Sequence, residues 1–213
     1  TAKDFHNQSV NPPVVRASTI IFKSMQHIRK TQVKARKNPT GGHYDYARQG
    51  TSTTHILQKI LTRLEESYHV FTTSTGFGAV FLAIFSVVRP GDEIVVADPV
   101  YSPTRLLTQN YLKDFDIKTT FYNPNDLKTL EDNITKNTKL IFVENPGSNT
   151  FEFHDIGKVV SIAKKHKILT AIDNTWATPY FLKPIKLGFD MAIVSATKYY
   201  SGHSDVMGGS LAV

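Results

Sequence analysis

The spacing of apolar positions changes character near residue 55. Before it, apolar residues show little periodicity. Asn11-Pro12-Pro13 and Asn38-Pro39-Thr40-Gly41-Gly42 are strong loop signals, because Pro fixes the backbone and Gly frees it. Within this stretch only residues 25–37 read as a short helix, and its polar face is basic. The pattern predicts an irregular N-terminal arm over residues 1–55 that lies on another surface rather than building its own core. In residues 55–68, Ile56, Ile60, Leu61 and Leu64 recur at helical spacing with polar residues between them, which predicts an amphipathic helix.

Beyond that helix, short Val- and Ile-rich runs alternate with helical segments. Strands are expected at 69–73, 93–97, 118–122, 139–144, 169–173 and 191–195. Helices are expected at 76–88, where the run is apolar enough to read as buried, and at 104–112, 126–133 and 155–166. Pro179 and its aromatic neighbours argue against a helix directly after residue 173. The alternation predicts an α/β domain over residues 56–213, with a mostly parallel sheet flanked by helices. Ligands of such sheets bind beyond the carboxyl ends of the strands, so those ends are where chemistry is sought.

Composition narrows the chemistry. None of the 213 residues is Cys, which excludes disulfides, zinc–thiolate sites and a thiol nucleophile. The eight His are scattered without metal-ligand spacing, so no metal site is expected. Net charge is +7, and it is local. Residues 1–50 carry nine Lys or Arg against Asp4 and Asp45, while the other 163 residues balance. The basic stretch lacks interleaved aromatics or a recognisable motif, so no nucleic-acid partner is expected. The longest apolar run, 78–88, is far short of the roughly 20 residues that span a bilayer. Residues 1–10 lack the apolar stretch of a signal peptide. The expectation is a cytoplasmic chain without a membrane segment.

The strand ends hold the candidate chemistry. Thr75-Gly76-Phe77-Gly78 leaves a strand and opens a helix. That geometry serves either as a phosphate cradle or as an ordinary turn. Tyr101, after the next strand, serves either as a stacking surface for a flat ligand or as a cap on the core. Asp173 ends a buried strand, where a carboxylate is costly unless it is paired or functional. Ser195, Thr197 and Lys198 emerge together after the strand at 191–195. Hydroxyls donate to phosphate, and a lysine in a partly desolvated site can attack a carbonyl. Each signal is weak alone. Together, a phosphate seat, a stacking aromatic, a buried acid and a lysine are the parts that pyridoxal phosphate requires.

At this point the sequence resembles a known family. The cystathionine lyases and synthases of cysteine and methionine metabolism are fold-type I pyridoxal-phosphate enzymes. The resemblance is carried by Tyr46-Ala47-Arg48, Thr75-Gly76-Phe77, Asp98-Pro99-Val100-Tyr101, the run from Glu144 to Thr150, Asp173-Asn174-Thr175-Trp176-Ala177, and the run from Ser195 to Asp205. Within the family, Pro146-Gly147-Ser148 and Asn174-Thr175-Trp176-Ala177 are most similar to the β-lyase branch.

The resemblance implies roles for these residues. Lys198 would bond the cofactor's aldehyde and later carry the proton from the substrate's α-carbon to the leaving group. Asp173 would pair with the pyridinium nitrogen, and Tyr101 would stack on the ring. The N–H groups of Gly76 and Phe77, with the Ser195 and Thr197 hydroxyls, would hold the phosphate. Tyr46 and Arg48 would reach the phosphate in a neighbouring subunit, which implies a homodimer or homotetramer. The implied reaction on a small amino-acid substrate is α,β-elimination, giving homocysteine, pyruvate and ammonia from cystathionine. A γ-lyase, a γ-synthase or a non-catalytic cofactor-binding remnant are the alternatives. Family members are considerably longer, so the C-terminal domain that carries the carboxylate-gripping arginine is expected to lie outside residues 1–213. A sheet that stops in a strand at 209–213 is expected to be left with an unpaired edge.

Overall fold

The computed structural model describes residues 10–213. The chain divides into two compact units, residues 1–61 and 62–213, with the boundary inside a helix. In the first unit, α1 (Met25–Lys37) is capped by Ser24, whose hydroxyl accepts the His27 N–H at 3.2 Å. Lys34, Arg36 and Lys37 occupy its last turn, where cations favour the helix dipole. None of its residues is buried. A short 3₁₀ turn, Ala47–Gln49, precedes α2 (Ser52–Glu65). Of the apolar positions expected to line one face of α2, Leu61 is buried and Ile60 is exposed.

The second unit is a seven-stranded sheet. Its strands are β1 (Val70–Thr73), β2 (Glu93–Ala97), β3 (Lys118–Tyr122), β4 (Thr138–Glu144), β5 (Leu169–Asp173), β6 (Met191–Val194) and β7 (Gly209–Ala212). The order is β1-β7-β6-β5-β4-β2-β3. Pairings from β6 through to β3 are parallel, and β7 is antiparallel to both its neighbours. The central strands are apolar and buried on both faces: Ile94 to Ala97, Leu140 to Val143 and Met191 to Val194. That is what a parallel sheet covered on two sides demands. The expected unpaired edge at the last strand is not found. Ala212 faces Val70 on one side and Ala192 on the other, and the sheet's edges are β1 and β3.

Two helical expectations are corrected. The helix α3 (Gly76–Val87) is buried on one side only. Ala79, Val80, Ala83 and Ile84 pack inward, while Phe77, Phe81 and Leu82 are exposed. Where one helix was expected at 104–112, the chain forms α4 (Ser102–Leu106), a π-helical segment Leu107–Tyr111 and α5 (Leu112–Asp114). Thr119 Oγ1 donates to Thr108 O at 2.6 Å inside the π segment, giving that carbonyl a side-chain partner. After β5, two short helices, α8 (Thr178–Phe181) and α9 (Pro184–Leu187), follow α6 (Lys128–Asp132) and α7 (Ile156–His166). No helix begins directly after residue 173: residues 174–177 are non-helical, and Pro179 lies in the first turn of α8, where no N–H is needed. Among the described residues, no helix is long and apolar enough to cross a membrane.

One buried charge stands out in this frame. Glu65, the last residue of α2, is 0% exposed and accepts the Tyr200 O–H at 3.0 Å. Burial pushes its carboxyl up to about 7, against the opposing pull of Tyr200 and of the Lys183 charge. A carboxyl raised in the folded state stabilises fully below its unfolded value of about 4.3, and that contribution is lost as pH rises toward 7. Glu65→Gln stays neutral throughout. Urea unfolding of both proteins at about pH 4.5 and pH 7.5 should show the comparison moving in favour of the variant by on the order of 2 kcal/mol at the higher pH. A pH-independent difference would contradict the buried, protonated carboxyl.

Candidate active site

The antiparallel insertion of β7 decides what meets at the sheet's carboxyl edge. Thr73 ends β1 opposite Gly209, and Val194 ends β6 opposite Ser210. The ends of β1 and β6 therefore flank the start of β7, and the residues that follow them come together. A Cβ on Gly209 would lie 2.3 Å from Thr75 O, so glycine is needed for this approach. A Cβ on Gly76 would lie 2.5 Å from Ser195 Oγ and 2.6 Å from Ser195 Cβ. Gly76 thus opens α3 directly against the Ser195 hydroxyl. Thr75 caps the helix by accepting the Gly78 N–H at 2.9 Å. The N–H groups of Gly76 and Phe77 precede the first intrahelical bond and carry the positive end of the helix dipole. The result is a seat for an anion made of backbone donors and one hydroxyl.

A second group lies at the ends of β4 and β5. Glu144 and Asp173 are register partners on these adjacent strands. Asp173 Oδ1 accepts the Thr175 N–H at 3.0 Å. Glu144 accepts the Tyr101 N–H at 2.6 Å and the Ser148 hydroxyl at 2.5 Å. Burial, and then the neighbouring Asp173 charge, push the Glu144 carboxyl up to about 7. Burial pushes Asp173 up as well, opposed by its hydrogen bonds to Thr175. Two adjacent carboxylates resist ionising together, and among the described residues neither has an ion-pair partner. The Thr175 hydroxyl accepts the Ser195 N–H at 2.8 Å and so joins the two groups. One connected line runs from Gly76 through Ser195, Thr175, Asp173 and Glu144 to Tyr101.

The other expected residues take the following places. Tyr101 is 49% exposed and stands at the start of α4. Thr197 turns toward Gly208, donating to its carbonyl and accepting its N–H, both at 3.2 Å. Lys198 lies in the turn after β6. Its N–H donates to Ser195 O at 3.1 Å, and its carbonyl accepts the Gly202 N–H at 2.8 Å. Its side chain is exposed, whereas partial desolvation was expected of a nucleophilic amine. In the first unit, Tyr46 and Arg48 flank Ala47, with the guanidinium 5.2 Å from the Tyr46 ring centre. Two cavities, of about 260 and 450 Å³, open at the amino edge of the sheet and touch none of these residues.

Glu144 received no role from its sequence alone. The signal was available, since it ends the apolar run Leu140 to Val143 just as Asp173 ends its own strand.

The whole chain, residues 1–213, matches the model of the family described as Cys/Met metabolism PLP-dependent enzymes. The chain belongs to that family. A Saccharomyces cerevisiae relative, provisionally named a cystathionine β-lyase, is 38% identical over 200 residues, 94% of this chain and 56% of the relative. An L-alanine/L-glutamate racemase of Wolbachia pipientis is 35% identical over 208 residues, 95% of this chain and 51% of the relative. A Campylobacter jejuni protein solved with N′-pyridoxyl-lysine-5′-monophosphate superposes with a TM-score of 0.88 at 32% identity, covering 100% of this chain and 52% of the other. The chain spans about half the length of the curated relatives it matches.

Its fold is that of the fold-type I enzymes, and its cofactor is pyridoxal 5′-phosphate. The residues present fit that group. The absence of a side chain at Gly76 lets Ser195 pack against the start of α3, which sets its hydroxyl beside the free N–H groups that a phosphate would need. The Asp173–Glu144 pair, without a cation of its own, suits a protonated ring nitrogen.

Gly76→Ala tests the seat. Alanine favours a helix over glycine by about 1 kcal/mol, so the backbone itself should not lose stability. The added Cβ instead collides with Ser195 and pushes it away from the start of α3. Absorbance titration with pyridoxal phosphate should show at least a tenfold weaker affinity, and adding Ser195→Gly should recover part of it. Unchanged affinity in Gly76→Ala would remove the phosphate from this position.

Proposed function

We propose that the full-length protein is a carbon–sulfur β-lyase that converts cystathionine and water to homocysteine, pyruvate and ammonia, and that this chain supplies its cofactor seat. The observation that carries this is the approach of Gly76 to Ser195 beside a lysine-bearing turn and the half-buried acid Asp173. The name of the Saccharomyces cerevisiae relative, and the similarity of residues 146–148 and 174–177 to the β-lyase branch, support cystathionine as the substrate.

Bound pyridoxal phosphate supplies an electron sink for the bonding pair left on a substrate's α-carbon. The protein's residues do the rest. The Gly76 and Phe77 N–H groups, with the Ser195 hydroxyl, would bind phosphate, whereas the Thr197 hydroxyl, expected to join them, donates to Gly208 O and serves the turn instead. Asp173 keeps the ring nitrogen protonated, because its carboxylate is stabilised only when a cation meets it. Glu144 fixes the Tyr101 backbone, and the Tyr101 ring covers the cofactor plane. Lys198 would hold the cofactor through its amine, and once a substrate's amino group had displaced it, the freed amine would take the α-proton and deliver it to the departing sulfur. Tyr46 and Arg48 act on the phosphate of a neighbouring subunit in a homodimer or homotetramer.

Borohydride reduction with pyridoxal phosphate should leave a pyridoxyl adduct on Lys198, located by peptide mass mapping and absent from Lys198→Ala. The same variant should lose about 10³-fold or more of its keto-acid release. Pyruvate from cystathionine supports β-cleavage. Release of 2-oxobutyrate would reassign the enzyme to γ-cleavage, and racemised alanine without keto acid would make it a racemase.

A further inference from the structure

Glu65 and Tyr200 have no part in the roles given above, yet they make a costly arrangement. Glu65 is wholly buried, and its second oxygen, Oε2, has no hydrogen-bond partner among the described residues. Lys183 is nearby but committed elsewhere. Its ammonium donates to Leu64 O at 3.2 Å and to Glu66 Oε1 at 2.5 Å. Burying a carboxyl with one oxygen unsatisfied is unfavourable unless the bond it does make is needed. That bond is to Tyr200 Oη, 3.0 Å away and 135 residues along the chain.

Tyr200 lies two residues after Lys198. The turn that holds them is built mainly from local bonds. Lys198 N–H donates to Ser195 O, Ser201 N–H to Ala196 O, Gly202 N–H to Lys198 O, and Ser201 Oγ to Thr197 O. These bonds fix the shape of the turn but not its placement. Two side chains tie it to the body of the domain. Thr197 grips Gly208 at the start of the turn, and on its far side Tyr200 donates to Glu65 and also meets the Ser210 hydroxyl on β7. Lys198 sits between these anchors. With one anchor the turn can pivot, whereas with two its direction is set.

We propose that Glu65 is a positioning residue for the cofactor-bearing lysine: through its hydrogen bond to Tyr200 it aims the turn so that the Lys198 amine meets the cofactor. The inference rests on the reading of Lys198 as the residue that bonds pyridoxal phosphate. Glu65 touches neither cofactor nor substrate. Loss of its bond should leave the sheet and the turn's local bonds in place and loosen only the aim of the amine.

The test uses the full-length protein and three variants. Tyr200→Phe keeps the ring and removes the donor. Glu65→Gln keeps an acceptor for the Tyr200 O–H. The double variant E65L/Y200F removes both polar ends and leaves no buried group unsatisfied. Two rates are read: loss of the lysine–cofactor absorbance after adding hydroxylamine, and hydrogen exchange of the 196–202 amides in cofactor-free protein. In Tyr200→Phe, cofactor loss should be at least fivefold faster. Exchange at Lys198, Ser201 and Gly202 should be at least tenfold faster, with β5 and β6 unchanged. Glu65→Gln should stay within twofold of wild type in both rates.

If both rates in Tyr200→Phe stay within twofold of wild type, the pair is structural only and the proposal is wrong, whatever happens to thermal stability. Should Tyr200→Phe fail to fold, E65L/Y200F is judged by the same thresholds. A wild-type protein without a borohydride adduct on Lys198 would overturn the reading beneath the proposal. The exchange rates would still decide whether the anchor exists.

Discussion

β7 is hydrogen-bonded to β1 along one side and to β6 along the other, and it runs against both. Everything at the carboxyl edge follows from that insertion. It separates the ends of β1 and β6 by the width of one strand and starts between them with Gly209, whose missing side chain lets Thr75 O approach. The segments leaving β1 and β6 then converge over the start of β7. One is the first turn of a helix, with unsatisfied N–H groups. The other carries Ser195, Thr197 and Lys198. A side chain at position 76 or 209 would push these segments apart, and the seat would vanish while the sheet remained.

The opposite end of the connected line is governed by repulsion. Glu144 and Asp173 end neighbouring strands in register, so the sheet itself forces two acids together. Burial makes each reluctant to ionise, and the charge on one raises the other. Both oxygens of Glu144 are occupied, one by the Tyr101 N–H and one by the Ser148 hydroxyl. Asp173 is left as the acid with capacity for a new cationic partner. The division of labour between two similar carboxyls is set by their hydrogen bonds rather than by their chemistry.

Much of this was legible in the sequence, for identifiable reasons. Strands such as 93–97 and 169–173 are continuous apolar runs between turn signals, and such runs have few alternatives. Asp173 was legible because a charge ending a buried strand is conspicuous. Glu144 met the same test but was hidden in a motif already assigned to resemblance. The π segment left no pattern, since it answers to a tertiary contact from Thr119. The four-residue helix at Thr178–Phe181 is too short to show a periodicity, although Pro179 suits its first turn. The exposed face of α3 was missed because composition reports how apolar a helix is, not which side is covered. The bond from Glu65 to Tyr200 spans most of the domain, and no local pattern encodes a partner that distant.

Position 77 illustrates a different point. Its contribution to the proposed anion seat is a backbone N–H, which every residue but proline possesses. The exposed Phe77 ring is therefore free of that duty. Substitutions there can accumulate without touching the seat, so the position carries almost no information about the ligand it serves. Positions 76 and 209 are the reverse, because their function is the absence of an atom and only one amino acid provides it. A lineage descending from this sequence could drift at the one and would be frozen at the others, although the seat depends on residue 77 as well.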